Sequence, residues 1–202
     1  MNATSTPSTA TTGSAAFVAL ALSSLPKGRL LNVGSGAGAR GTAHQQLFDL
    51  DIDASILRGS PSPGAAGDAE DLPFASGVFQ GALLKDVLEH VPHPIVVLRE
   101  VARVCAPDAE ILVTVPRAVP RAVWADPTHL RGFTARSLET ALTLGGWRPT
   151  GPPRRIGSVP GAGHVPFLLR NLSTILRVPG LGHLLGPNWI IRARRVNAAG
   201  AR

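Results

Sequence analysis

The sequence predicts an α/β fold built on an open, mostly parallel sheet with flanking helices. Short continuous apolar runs alternate with stretches of helical spacing, the pattern of strand–helix–strand units. A glycine-rich turn follows directly on the first such run. No apolar run approaches the roughly 18 residues needed to span a bilayer, so the apolar content belongs to a core. The chain has 202 residues, 44% hydrophobic and 16% charged. That is enough to bury the core of one domain without disulfides or a structural metal.

Taken in order, the segments support this reading. "MNATSTPSTATTGSAA" carries no charged side chain, and residues 1–13 are expected to be a disordered tail before a single domain over 14–202. "FVALALSSL" is short and lacks the basic flank of a signal peptide. It reads as a helix covering the sheet edge, and the protein is expected to be soluble and cytoplasmic. "RLLNV" (29–33) is the first strand and "QQLFDLDI" (45–52) the second, ending in acids. From Asp53 to Gly67 the chain is too short and too rich in Pro and Gly for a full helix and strand, so the third strand is expected to be a remnant.

"GVFQGALLKD" (77–86) holds a further strand around Gly81 to Leu84. "HPIVVLREVARVCA" (93–106) reads as a helix with Pro94 in its first turn. "EILVTVP" (110–116) is an apolar strand stopped by Pro116. "TARSLETALTLGGW" (134–147) is a helix with Thr134 as N-cap and Gly145–Gly146 at its end. "NWIIRARRV" (188–196) reads as a last strand. The single cysteine, Cys105, excludes an intramolecular disulfide and any multi-cysteine metal site. At an apolar helix end it reads as a buried, inert thiol.

The turn "LLNVGSGAG" places Gly34, Gly36 and Gly38 at alternate positions after a strand. Glycine is retained where φ must be positive or where a ligand approaches the main chain closely. Gly34, Gly36 and Ala39 satisfy a dinucleotide fingerprint, and Asp51 and Asp53 follow. An NAD(P)-dependent oxidoreductase is therefore one reading. Against it, the chain contains no tyrosine to serve as a catalytic acid.

Five segments in order, "LLNVGSGAG", "LFDLDID", "GDAEDLPF", "LLKDVLEHVPHP" and "LREVARVCAPDAEILVTVP", resemble the class I S-adenosylmethionine-dependent methyltransferases. The likeness is to the methyltransferase type 11 group, over roughly residues 29–147. "GDAEDLPF" followed by "VLEHVPHP" is its specific part. The resemblance implies a Rossmann-like fold, shortened here around the third strand, and S-adenosyl-L-methionine as cofactor. It implies that Gly34, Ser35, Gly36 and Gly38 pack against the methionine part of the cofactor, with Asn32 and Lys85 also in the cofactor site. Asp51 takes the ribose hydroxyls, with Asp53 or Asp49 as alternatives. Ile52 lies against adenine, Asp68 accepts from its amino group, and the Ala69 backbone touches the ring. His90 and His129 are the candidate catalytic bases. His129 shares the loop "DPTHLRGFT" with Asp126 and Arg131, where turn chemistry alone is the competing account.

Besides the shortened stretch from Asp53 to Gly67, the sequence departs from the family pattern in three places. Asn32 stands where an acid is usual, Gln80 replaces another acid, and "CAPDAEIL" lacks paired glycines. These departures keep open a non-catalytic cofactor-binding module on the same fold. No metal site is indicated. Residues 1–139 hold 11 Lys/Arg against 13 Asp/Glu, whereas residues 140–202 hold nine Arg and no acid, within a net charge of +7. The acceptor is expected to be a small molecule, lipid-like or anionic, since no nucleic-acid motif is present. Residues 157–187 are read as a lid or amphipathic insert before the last strand, with Pro166–Leu185 able to meet an anionic membrane.

Overall fold

A computed structural model describes residues 22–23, 25–36, 45–124, 126–156 and 187–196. The N-terminal tail, Gly38, and the expected insert over 157–187 with its amphipathic stretch lie outside the described residues. The elements are β1 (Gly28–Val33), β2 (Gln45–Asp51), α1 (Ala54–Leu57), β3 (Gly64–Ala66), β4 (Phe79–Lys85), α2 (Pro94–Val104) and β5 (Cys105–Pro116). They continue with α3 (Pro120–Val123), α4 (Ala135–Leu144), β6 (Trp147–Pro149), β7 (Arg154–Ile156) and β8 (Asn188–Arg195). The sheet runs β3-β2-β1-β4-β5-β8-β6, with β7 also on β8. Strands β3, β2, β1, β4 and β5 pair in parallel. Strand β8 enters antiparallel between β5 and β6.

Both faces of the central strands are buried, which is why they read as continuous apolar runs rather than alternating ones. Leu31, Val33, Ala82, Leu84, Ile111 and Val113 belong to one core with Val97, Leu98 and Val101 of α2 and Leu138 and Leu142 of α4. Leu30, Leu83, Leu112 and Ile190 join Leu22, Leu25 and Leu47 on the other face. Thr134 caps α4 through a reciprocal pair with Ser137, and Gly145 closes it. Trp147 is fully buried and donates Nε1–H to the Leu98 carbonyl at 2.8 Å.

The segment after β2 is as short as its composition requires. Helix α1 is one turn, capped by Asp53 accepting from Ser55 N at 2.8 Å, and β3 has three residues. The helix over 93–106 ends earlier than its composition suggests. Cys105 already pairs with Phe79 as the first residue of β5. Strands β6 and β7 were not anticipated; at three residues each they are set by pairing with β8.

Asn32 and Asp49 sit opposite one another in the β1–β2 register, and both are buried. Asn32 Nδ2 donates to Asp49 Oδ1 at 2.7 Å, while Ser60 Oγ donates to Oδ2. The amide at position 32 is what lets a buried carboxylate stand beside it.

Two outcomes follow from this packing. Asn32→Asp should destabilise the fold by about 3–5 kcal/mol, the range for an uncompensated buried charge, as read by urea unfolding at neutral pH. The two carboxyls would have to share one proton, and sharing raises a folded-state pKa above its unfolded value. The penalty is therefore present above that raised pKa and shrinks as pH falls through it. Equal stability at neutral pH would mean that the pair is not buried together. For Cys105, burial pushes the thiol up to about 12. The native protein should leave Ellman's reagent unreacted at pH 8 and release one equivalent of thiol in denaturant.

Candidate active site

The strand order reverses at β1, which has β2 on one side and β4 on the other. In parallel sheets ligands bind outside the carboxyl ends of the strands at such a point. A cavity of about 480 Å³ lies there, lined by residues that include Gly34, Asp51, Ile52, Asp68, Ala69, Asp86 and His90. Backbone bonds tie its walls to the sheet. Ser35 N donates to Leu50 O at 3.0 Å, Gly67 N to Asp51 O at 3.0 Å, and Asp86 N to Thr114 O at 3.0 Å.

The glycine turn has a geometry only glycine takes easily. Gly34 and Gly36 have φ of +59° and +52°. A Cβ on Gly34 would meet Val87 at 2.7 Å, whereas one on Gly36 would meet nothing within 4 Å among the described residues. Asp51 follows at the end of β2. Its Oδ2 accepts from Gly36 N at 3.0 Å and its Oδ1 from Asp53 N at 3.1 Å. Each oxygen retains a further acceptor site. Of the three acids weighed for this role, Asp51 alone lines the cavity. Asp49 is buried against Asn32, and Asp53 caps α1.

The segment "GDAEDLPF" divides by function. Asp68, Ala69 and Glu70 line the cavity, and Asp68 Oδ1 holds the turn by accepting from Glu70 N at 2.8 Å. Leu72 and Phe74 anchor it instead. Arg103 donates to both carbonyls, at 2.9 and 2.8 Å, and Glu100 accepts from Leu72 N at 3.0 Å. Glu70 also takes the backbone and ring of His93, each at 2.9 Å, at the start of α2.

Of the residues read as cofactor contacts, Gly34, Asp51, Ile52, Asp68 and Ala69 line the cavity, Ser35 and Gly36 continue the turn beyond its lining, and two stand elsewhere. Asn32 is not among the lining residues, because its amide is turned to Asp49. Lys85 is likewise not among them; its Nζ pairs with Asp86 Oδ2 at 2.9 Å. The lining position belongs to Asp86, whose φ of +55° turns the chain at the end of β4 and breaks the alternation of a strand. Thr114 Oγ1 donates to Asp86 Oδ1 at 2.8 Å.

His90 and His129 come together from different loops, their rings edge to face with centroids 4.7 Å apart. His129 Nδ1 lies 2.6 Å from the Val123 carbonyl, which can only accept, so Nδ1 carries the proton. Thr128 Oγ1 donates to Asp126 Oδ1 at 2.6 Å and stands 3.0 Å from His90 Nδ1. Its one proton is committed, so His90 Nδ1 is the donor there. With Nδ1 the donor in each ring, Nε2 is the position that faces away from these bonds. Bonds from the hydroxyl and amide of Thr128 hold Asp126 below the usual carboxylate range.

The residue this reasoning missed is Glu89. It is 1% exposed, and neither carboxyl oxygen has a hydrogen-bond partner among the described residues. Burial pushes its pKa up to about 8, reinforced by Asp86 and Asp126. Its position beside His90 in "VLEHVPHP" was the available signal; its burial was not readable.

Three local features fit a nucleoside-bearing cofactor. Among the described residues, Ser35 Oγ is buried without a partner and nothing stands over Gly36, and Ile52 presents an apolar surface 79% exposed at the cavity rim. Residues 31–113 match the family model of the methyltransferase domain. No curated protein matches the sequence. Among solved structures, the complex of the Haloferax volcanii Trm112 methyltransferase activator with its methyltransferase provides a chain 16% identical. It is similar over 88% of each chain with a TM-score of 0.69. A SAM-dependent methyltransferase from Archaeoglobus fulgidus is 16% identical, covering 91% of this chain and 96% of that one, at a TM-score of 0.63. The cyclase SpnF is 19% identical over 89% of this chain and 80% of its own, at 0.61. At these identities the likeness speaks of the fold, and the reaction has to be argued from the site. The chain thus carries the Rossmann-like class I fold seen in S-adenosylmethionine-dependent methyltransferases, and its residues 31–113 match the model of the methyltransferase domain.

Proposed function

We propose that the protein binds S-adenosyl-L-methionine in the cavity above β1, β2 and β4 and transfers its methyl group to a small-molecule nucleophile. The observation that carries this is Asp51. It is oriented by two backbone amides at the cavity wall, with the open glycine turn on one side and exposed Ile52 on the other. A carboxylate so held offers two acceptor oxygens to a ribose diol. Gly34, Ser35 and Gly36 would take the methionine end, Ile52 the adenine face, and Asp68 with the Ala69 backbone the adenine edge. When bound, the cofactor supplies a methyl group activated on a sulfonium.

The chain's own work is then alignment and exclusion of water. His90 and His129 stand on the acceptor side, where their Nε2 lone pairs can receive a proton from an acceptor that carries one. Trp124 and Leu130, 66% and 53% exposed, flank His129 in sequence and suit an acceptor with an apolar body. A non-catalytic cofactor-binding module on the same fold remains the second reading, because Asn32 stands where an acid is usual and the segment after β2 is reduced to one helical turn and a three-residue strand. The oxidoreductase reading has no comparable support, since the matched family model is that of a methyltransferase domain.

Calorimetric titration tests the cofactor. S-adenosylmethionine and S-adenosylhomocysteine should bind and NAD(H) should not, and Asp51→Ala should weaken binding by about 1.5–3 kcal/mol, the range for hydrogen bonds to a charged group. If Asp51→Ala titrates like the parent chain, the assignment of the ribose end is wrong. With an acceptor in hand, His129→Ala should lower turnover at unchanged cofactor affinity. A matching loss of cofactor binding would move His129 to the cofactor side.

A further inference from the structure

Glu89, His90 and His129 each offer one ligating atom, and these lie within 4.8 Å of one another. Two come from the segment after β4 and the third from the loop after α3. Leu130 N donates to the Glu89 carbonyl at 2.8 Å, which holds the two segments together. The arrangement of protons also suits a metal. Ligating imidazoles commonly donate their other ring N–H to a carbonyl or carboxylate, which fixes the ring and raises its basicity. Both rings here do so: His129 to the Val123 carbonyl, and His90 through Thr128 to Asp126. Glu89 supplies an independent sign. Its carboxyl is buried, has no partner in another residue among those described, and sits beside the two rings. A carboxylate in a protein interior is normally paired or bound to a metal, and without either it keeps its proton.

We infer that Glu89, His90 and His129 form a binding site for one borderline divalent cation of the zinc type, held by the two Nε2 atoms and the Glu89 carboxylate. Two imidazoles and one carboxylate select zinc, cobalt or nickel over magnesium or calcium, which prefer all-oxygen shells. Tetrahedral zinc needs donor atoms about 3.3 Å apart, from bonds of roughly 2.0–2.1 Å. Side-chain rotation closes the distance from the present spacing, because His90 is exposed and His129 only partly covered. Three protein ligands leave a fourth position open, as in catalytic rather than structural zinc sites. His90 also lines the cavity, so that position is next to it. If the methyl-transfer reading holds, the cation would occupy both Nε2 lone pairs and grip an oxygen of the acceptor, so that it takes the place of the two rings as proton acceptors by lowering the acceptor's own pKa. The site itself does not depend on that reading.

The test uses the full chain freed of metal with a chelator. Equilibrium dialysis against zinc, with elemental analysis, should give one equivalent per chain, and magnesium should give none. Cobalt should produce the intense visible absorption of a four-coordinate centre. Glu89→Gln, His90→Ala and His129→Ala should each weaken zinc binding at least tenfold. Far-UV circular dichroism and S-adenosylhomocysteine titration check that Glu89→Gln and His129→Ala remain folded. His90→Ala, at an exposed position, keeps the test decisive if either of them is not. Absent zinc binding, or binding indifferent to all three substitutions, overturns the site and leaves an ionic cluster of one acid and two histidines. Zinc binding without S-adenosylhomocysteine binding would sink the proposed function and spare the site; the reverse result would do the opposite.

Discussion

Both faces of the parallel sheet are covered by apolar side chains, and the placement of every charge near it follows from that. A strand buried on two sides has nowhere to put a carboxylate except at its end or against a dedicated partner. The buried polar residues of the described chain are Asn32, Asp49, Asp51, Glu89 and Thr114. Asn32 and Asp49 satisfy each other inside the sheet, with Ser60 completing the pair. Asp51 closes β2, and Thr114 reaches across to Asp86 at the end of β4. The same exclusion that makes the core thus gathers acceptor groups along one edge, where the strand order reverses. A site for a ligand with several hydroxyl and amino donors is a consequence of that sorting.

The edge is held to the core by polar links that bypass the sheet. Arg103 and Glu100, on α2, grip Leu72 and Phe74 by three backbone groups. Phe74 in turn packs edge-on against Phe79 of β4, with ring centroids 5.1 Å apart. The segment 67–77 is therefore rigid at its Leu72–Phe74 end and presents Asp68–Glu70 from a fixed base. This is the usual division between a scaffold and the loops it positions. It also explains how one short motif can carry both packing and recognition.

Much of this was legible in the sequence. The strands appear as apolar runs because burial on two faces leaves no room for alternation, and the glycines mark positions where φ is positive. The remnant third strand follows from chain length alone. The family resemblance pointed to Asp51, the acid at the end of β2 that lines the cavity beside Gly34, and parallel pairing keeps β1 and β2 in step. What escaped was set by tertiary partners. Nothing local tells that Asn32 faces Asp49 rather than a ligand, because they are 17 residues apart. Asp86 went unnamed beside Lys85 because the left-handed turn at Asp86, which brings it to the cavity, leaves no mark in the local pattern. Helix α2 yields to β5 at Cys105 because pairing with Phe79 outweighs helical propensity. The burial of Glu89 depends on the loop carrying Leu130, some 40 residues downstream, folding over it.

The loop that carries His129 shows why turn chemistry and site chemistry need not compete as explanations. Asp126 begins the turn and takes the amide and hydroxyl of Thr128, the ordinary behaviour of an Asp-Pro turn. That bond commits the one proton on Thr128 Oγ1, and the commitment decides which nitrogen of His90 carries hydrogen. A turn residue in one segment thereby sets the tautomer of a ring 36 residues earlier in the chain. His129 is set independently, by the Val123 carbonyl at the end of α3. Both rings present the same nitrogen, and they do so beside a buried carboxyl with no partner in another of the described residues. Three separate local rules converge on one small volume, and that convergence makes the cluster an ordered arrangement of donors and acceptors rather than a chance meeting of side chains.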